Sequence, residues 1–297
     1  MYSYSAYGLG ISSTLVLPEL VESQRRPDVQ IRLDAVDRLP PAGAFVGETS
    51  WWTADRACFQ IPDLGTLLVQ YGREIILDPL PNVDESVYRL FILGAATGVL
   101  LHQRGFLVLH ASAIALGGGA VVFIADKGMG KSTMVGTMHK RGHILMADDI
   151  VAIDPTPDVP QAYPGFPQLK LWPESAEELC DSPDDLPLVR PDLTKRSRIL
   201  NHGFAVESMP LKRVLVLADG DEDAIEPLPP QLAFMSLVQH SYSLGILKAT
   251  GTQASHFAQA MRVVKQVPVM RLKRRRQMER LPLVAQMIEE ALGQAPR

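Results

Sequence analysis

Along the first hundred residues, apolar and polar positions alternate in short runs bounded by turn residues, the pattern of half-buried strands. IRLDAV (31–36) and ACFQI (57–61) are two such runs, and TLLVQ and REIIL flank Tyr71-Gly72. That spacing predicts a hairpin with glycine in the turn. Trp51 and Trp52 stand at a strand start; they read as core packing, the commoner use of such aromatics, over a binding platform. The pattern then lengthens. DESVYRLFILGAATGVLLHQR (84–104) has helical length and a broad apolar face, with Asp84 as a capping residue. It predicts a central helix joining the two halves.

Beyond it, LVLHASAIAL (107–116) and AVVFIA (120–125) predict two strands around three glycines. A helix is expected over about 131–141, then a strand, HILMA, ending in Asp148-Asp149. Proline-rich stretches at 155–167 and 183–191 read as connections and PLKRVLVLAD (210–219) as a buried strand. VPVMRL (267–272) reads as an edge strand between closing helices at 257–267 and 281–292. Strands alternating with helices make this part α/β. The organisation expected is a β-rich region with a connecting helix over 1–105, followed by an α/β domain over 106–297.

Composition narrows the classes of function. Hydrophobic residues are 46% and charged residues 21% of the 297, an ordinary globular balance. A net charge of -4 gives no general attraction to nucleic acid or anionic membrane. The longest apolar run, 90–101, is too short to span a bilayer, and the first residues lack a basic leader followed by an apolar run. Cys58 and Cys180 form neither a disulfide framework nor a zinc site and read as isolated buried thiols. The setting expected is cytoplasmic, with no nucleic-acid or membrane partner.

Residues 120–153, AVVFIADKGMGKSTMVGTMHKRGHILMADDIVAI, carry the chemistry. Gly128, Met129, Gly130, Lys131, Ser132 and Thr133 fall between a buried strand and a helix, the context in which backbone N–H groups and a helix N-terminus cradle phosphate. Lysine neutralises phosphate charge and the next hydroxyl binds magnesium. Ala125 stands where the loop's first glycine is usual; if that position needs a positive φ, alanine costs roughly 1 kcal/mol. Asp126 and Lys127 replace the small or neutral residues common in such loops, and an acid there opposes triphosphate unless offset. Asp148 and Asp149, at the end of the next strand, supply one ligand for magnesium and one acceptor for a hydroxyl proton. Lys195-Arg196 reads either as a reach toward the triphosphate or as solvated charge, and the run 273–276 as a solvated edge rather than a phosphate or acidic-peptide site.

LHASAIALGGGAVVFIADKGMGKST followed by KRGHILMADDIVAI resembles the bacterial HPr serine kinase/phosphorylase family. YSAYGLGISSTLVLPEL, PGFPQLKLWPES, and LKATG followed by VPVMRL resemble its branch in peptide natural-product clusters, including lasso-peptide tailoring kinases. The resemblance implies a P-loop fold related to phosphoenolpyruvate carboxykinase, ATP and Mg2+ as cofactors, and a serine hydroxyl acceptor. It implies that Lys131 and Ser132 hold phosphate and metal, that Asp148 and Asp149 are the family's acidic pair, and that His110 lies near the phosphates. No EIRGIG-type signature occurs, so kinase activity without phosphorolysis is expected.

The reading reached is a serine kinase for a small peptide or protein, with Asp148 on the metal, Asp149 as base and the first hundred residues recognising the acceptor. A non-catalytic ATP-binding regulator and a small-metabolite kinase stand as alternatives. An oligomer is allowed.

Overall fold

The computed structural model describes residues 1–179, 182–242 and 244–292; Cys180 lies outside them. The alternating runs of the N-terminal region assemble into one nine-stranded sheet. Its order is Val21–Glu22, Tyr2–Ala6, Leu9–Ser13, Val29–Leu33, Glu74–Pro79, Gly65–Gln70, Arg56–Ile61, Ser50–Trp52 and Phe45–Val46. The three strands Leu9–Ser13, Val29–Leu33 and Glu74–Pro79 pair in parallel and the rest antiparallel. The hairpin turn takes positive φ at both Tyr71 (58°) and Gly72 (62°), so tyrosine shares the left-handed geometry with glycine. Trp51 is buried with Val36, Cys58, Leu68 and Ile76 on one face of this sheet, and Trp52 stacks on Phe59. Burial pushes the Cys58 thiol up to about 11, as expected of an inert core cysteine.

The other face of that sheet buries Leu67, Val69, Ile75 and Leu77 against the connecting helix, and the same core takes in Val108, Ile150, Ala152 and Phe166. The expected helix forms, with one turn widened. Asp84 caps it through the Ser86 N–H, but Glu85–Phe91 gives way to a π-helical turn, Ile92–Ala96, before Thr97–Gln103. The Thr97 hydroxyl donates to the Ile92 carbonyl within that wider turn. Tyr242 leans against this segment: a Cβ on Gly98 would lie 2.4 Å from the Tyr242 ring, so glycine there seats the ring.

The second sheet has eight strands, and its pairings close into a ring. Leu107–Leu116 pairs with Gly119–Ile124 along one part of its length and with Ile150–Asp154 along another. Ile150–Asp154 leads through Gln161–Tyr163 to Met209–Asp219, which pairs in parallel with Gly119–Ile124. The stretches 155–167 and 183–191 therefore carry short strands, Gln161–Tyr163 and Leu188–Arg190, where connections were expected. The 267–272 run is not an edge: Val269–Arg274 lies between Met209–Asp219 and Ala224–Pro227. Local pattern cannot separate the two cases, because a strand's neighbours come from distant sequence. A third sheet orders Gln168–Leu171, Leu193–Ile199 and Leu188–Arg190. The helix Lys131–Lys140 packs on Leu107–Leu116 and on the closing helix Leu281–Ala291, where Arg141 and His143 both hold the fully buried Glu289 carboxylate.

Candidate phosphate-binding site

Gly119–Ile124 runs into the loop and Lys131–Lys140 starts immediately after it, as the sequence pattern required. Gly130 caps that helix in the left-handed conformation (φ 82°), and Gly128 has φ 84°. Ala125 is buried and is not among the described non-glycine residues with positive φ. The strain conditionally expected there does not arise, because the loop places its left-handed turns at residues 128 and 130. The Lys131 ammonium donates to the Ala125 carbonyl at 2.8 Å, and burial lowers its proton affinity while Asp148 and Asp149 raise it. Asp126 turns away, its Oδ1 accepting from the Gln239 amide at 3.2 Å.

Asp148 and Asp149 are the two residues that follow the strand Ile144–Ala147, and they face different partners. Asp148 is buried; its Oδ1 accepts from Ser132 Oγ at 2.8 Å and from Ser112 Oγ at 2.6 Å, and its Oδ2 from the Lys170 N–H at 2.9 Å. Asp149 has φ 80°, a strained value for a residue with a Cβ. Its carboxylate lies 2.7 Å from Lys170 Nζ and 3.2 Å from His110 Nδ1. Burial alone would raise its pKa, but the Lys170 ammonium and the His110 contacts outweigh it and hold the carboxyl far below the usual range.

These groups line one cavity of about 600 Å³, together with Lys127, Gly128, Gly130 and Thr133. Met129 is half-buried against the neighbouring core and does not line it. Leu90, Trp172, Val189, Leu193 and Tyr242 add apolar wall, so the cavity has charged and greasy stretches. Burial and the Asp149 carboxylate push the Tyr242 hydroxyl well above the usual tyrosine range, and burial followed by the same carboxylate does so for Tyr7, from the first hairpin of the N-terminal sheet. Lys195 lines the cavity while Arg196 is held by Asp184 and the Leu186 carbonyl, since neighbours on a strand point to opposite faces.

Ser132 and Asp148 fit a magnesium ion: a hydroxyl and a carboxylate oxygen, 2.8 Å apart beside the glycine loop, are the oxygen donors a hard cation takes. Among the described residues no group of three or more His, Cys, Asp or Glu is placed to hold a metal by itself.

Sequence reasoning missed Lys170, Ser112 and Tyr242, and read Arg274 and Arg276 as part of a solvated edge. For Lys170 a signal existed: it stands between the fully buried Leu169 and Leu171 in a strand, where a lysine needs a partner. Ser112 carried none. Arg274 donates to the Met129 carbonyl and Arg276 to the Gly128 carbonyl at 2.5 Å, so the 273–276 run is not a solvated edge throughout. Lys273 does keep to the surface, paired with Glu226.

No family model matches the chain, and no curated protein matches it. Among solved structures it is similar to the HPr(Ser) kinase/phosphatase from Coxiella burnetii, with 11% identity over 63% of this chain and 93% of that one and a TM-score of 0.32. Nothing in these comparisons supports the narrower likeness to lasso-peptide tailoring kinases. So low a TM-score leaves function to be argued from the site's own geometry. Among the described residues, no helix is long and apolar enough to cross a membrane.

Proposed function

We propose that the chain is a Mg-ATP-dependent phosphotransferase that phosphorylates a hydroxyl, the acceptor being a serine of a small peptide or protein. The observation that carries this reading is the pairing of Ser132 with Asp148 beneath the loop while Asp149, one residue on, points to different partners across the same cavity. On this reading Asp148 takes the metal position and Asp149 serves the acceptor.

Lys131 and the loop N–H groups would stabilise the transferring phosphate, and the start of the helix adds its positive end. Magnesium, when bound to Ser132 and Asp148, supplies neutralising charge on the phosphate oxygens. Asp149 orients the acceptor hydroxyl and takes its proton late. Its depressed proton affinity makes it a weak base at the outset, which a loose phosphoryl-transfer transition state tolerates because little charge develops on the nucleophile early. His110 and Lys170 hold the carboxylate in place for that role.

The acceptor side of this proposal draws on the N-terminal region. Leu90 contributes to the cavity wall and Tyr7 lies within the field of Asp149. Because that region shares a core with Val108 and Ile150, point substitutions such as Leu90→Asp test its role better than removal of the whole region. A purely regulatory nucleotide site has less to recommend it, since Ala125 imposes no strain and nucleotide binding alone does not call for a second carboxylate facing the same cavity.

The test is mass spectrometry of serine-containing peptides incubated with Mg-ATP and either the native protein or Asp149→Asn. A phosphate-sized gain on one serine, lost in the variant, is the expected result. Bound ATP with no gain on any peptide would overturn the serine-kinase reading, and turnover of small hydroxyl compounds would then favour the metabolite kinase.

A further inference from the structure

Arg274 ends the strand Val269–Arg274, and parallel pairing brings it to the level of the phosphate loop. Ile124, the last strand residue before that loop, stands opposite Val216, while Arg274 stands opposite Asp219 on the same strand. The Arg274 side chain is buried, with a relative exposure of 4%. Among the described residues it makes no ion pair: Nη2 donates to the Met129 carbonyl, and Nε is buried without a partner. Asp219 and Asp223 are the acids whose field reaches it, but Asp223 is already taken by Arg280 and the Arg275 N–H.

A guanidinium keeps its proton at any working pH, and burying it without a counter-ion costs free energy. A buried cation that touches only a carbonyl and lines an otherwise charged cavity is therefore matched to an anion. Arg276 lines the same cavity and rests on the next carbonyl back, that of Gly128. Gly130 completes the arrangement, since a Cβ there would lie 3.0 Å from Arg274 Nη2. Each arginine has spare N–H donors in the planar fork that suits phosphate oxygens.

We propose that Arg274 and Arg276 clamp the terminal phosphates of the nucleotide, the loop carbonyls holding them in place until phosphate oxygens take their free donors. The proposal rests on the nucleotide-binding reading above. A trans peptide points its carbonyl and the following N–H in opposite directions, so an arginine on the Met129 carbonyl also helps aim the Gly130 N–H.

Calorimetric titration of the full chain with Mg-ATP, Mg-ADP and AMP tests this, using native protein, Arg274→Gln, Arg274→Lys and Arg276→Gln, each with its melting temperature. Loss of a charge-assisted contact predicts ATP binding weakened about tenfold or more in Arg274→Gln, with ADP less affected and AMP unchanged. Lysine at 274 should not restore it, because the fork is lost. Arg276 is exposed, so Arg276→Gln reports on phosphate contact even if Arg274→Gln does not fold. ATP affinity at the native level in every folded variant, Arg276→Gln included, would overturn the clamp alone. A native protein that binds neither ATP nor ADP would overturn the nucleotide reading and the clamp with it.

Discussion

The loop at 125–130 and the acidic corner at 148–149 meet in one cavity, yet they are built by opposite means. The loop relies on backbone: two glycines take the left-handed turns without cost, and Ala125 needs none. The corner relies on side chains and accepts strain. Asp149 sits at a positive φ, and its carboxylate is held by Lys170 from one distant strand and His110 from another. A phosphate cradle needs only closely spaced N–H groups, which local sequence can provide. Asp148 and Asp149 reach different partners from adjacent positions, and the positive φ at Asp149 marks where the chain turns from one strand into the next.

The largest effects should come from the groups that join the two regions. Lys131→Ala and Asp148→Ala are each expected to lower phosphoryl transfer by about a thousandfold or more, read as initial rate at saturating peptide and Mg-ATP. Equal losses would mean that loop and corner act as one unit, whereas a mild loss in Asp148→Ala would break the metal assignment.

Acid should reach the corner from behind. His110 donates its N–H to the His240 carbonyl, and Tyr242 to Val108, so the 240–242 segment braces the strand carrying His110. Beneath it His256 contacts Ser241 Oγ at 2.5 Å, has an unpartnered Nδ1, and is lowered to about 4 by burial and by neighbouring His102. Such a histidine is neutral in the fold and charges more readily when unfolded. Its contribution is present in full above pH ~6.5 and is lost as pH falls toward 4, by about 3 kcal/mol. Denaturation midpoints measured from pH 7 to 4 should fall, and fall less in His256→Gln; identical slopes would remove this histidine from the account.

Smaller effects isolate the backbone contrast. Asp149→Gly and Asp149→Ala both leave Lys170 without its partner, so their difference reports the strain at φ 80°, and the glycine variant should be more stable by about 1 kcal/mol. At the loop the sign reverses. Ala125→Gly should lose about 1 kcal/mol through greater unfolded-chain entropy and lost burial, with no gain in nucleotide affinity. A gain in affinity would mean that the alanine does hamper the loop.

Much of the local structure was legible. The strand, loop and helix over 119–140, the 65–79 hairpin and the Asp84 cap follow from spacing and turn chemistry, because each is decided within a few residues. The π turn at 92–96 was not, since the apolar run reads as helix either way and the insertion shows only in its packing against Tyr242.

By itself the sequence determined most of the elements and the glycine-bearing loop between strand and helix, because hydrophobic period, glycine freedom and helix capping act over short range. Tertiary structure alone decided that Lys170 meets Asp149, that Ser112 joins Ser132 on Asp148, and that Arg274 and Arg276 reach the loop from about 145 residues away in sequence. Each of those contacts depends on strand order and register in sheets whose partners lie far apart along the chain, and residue type alone does not specify either.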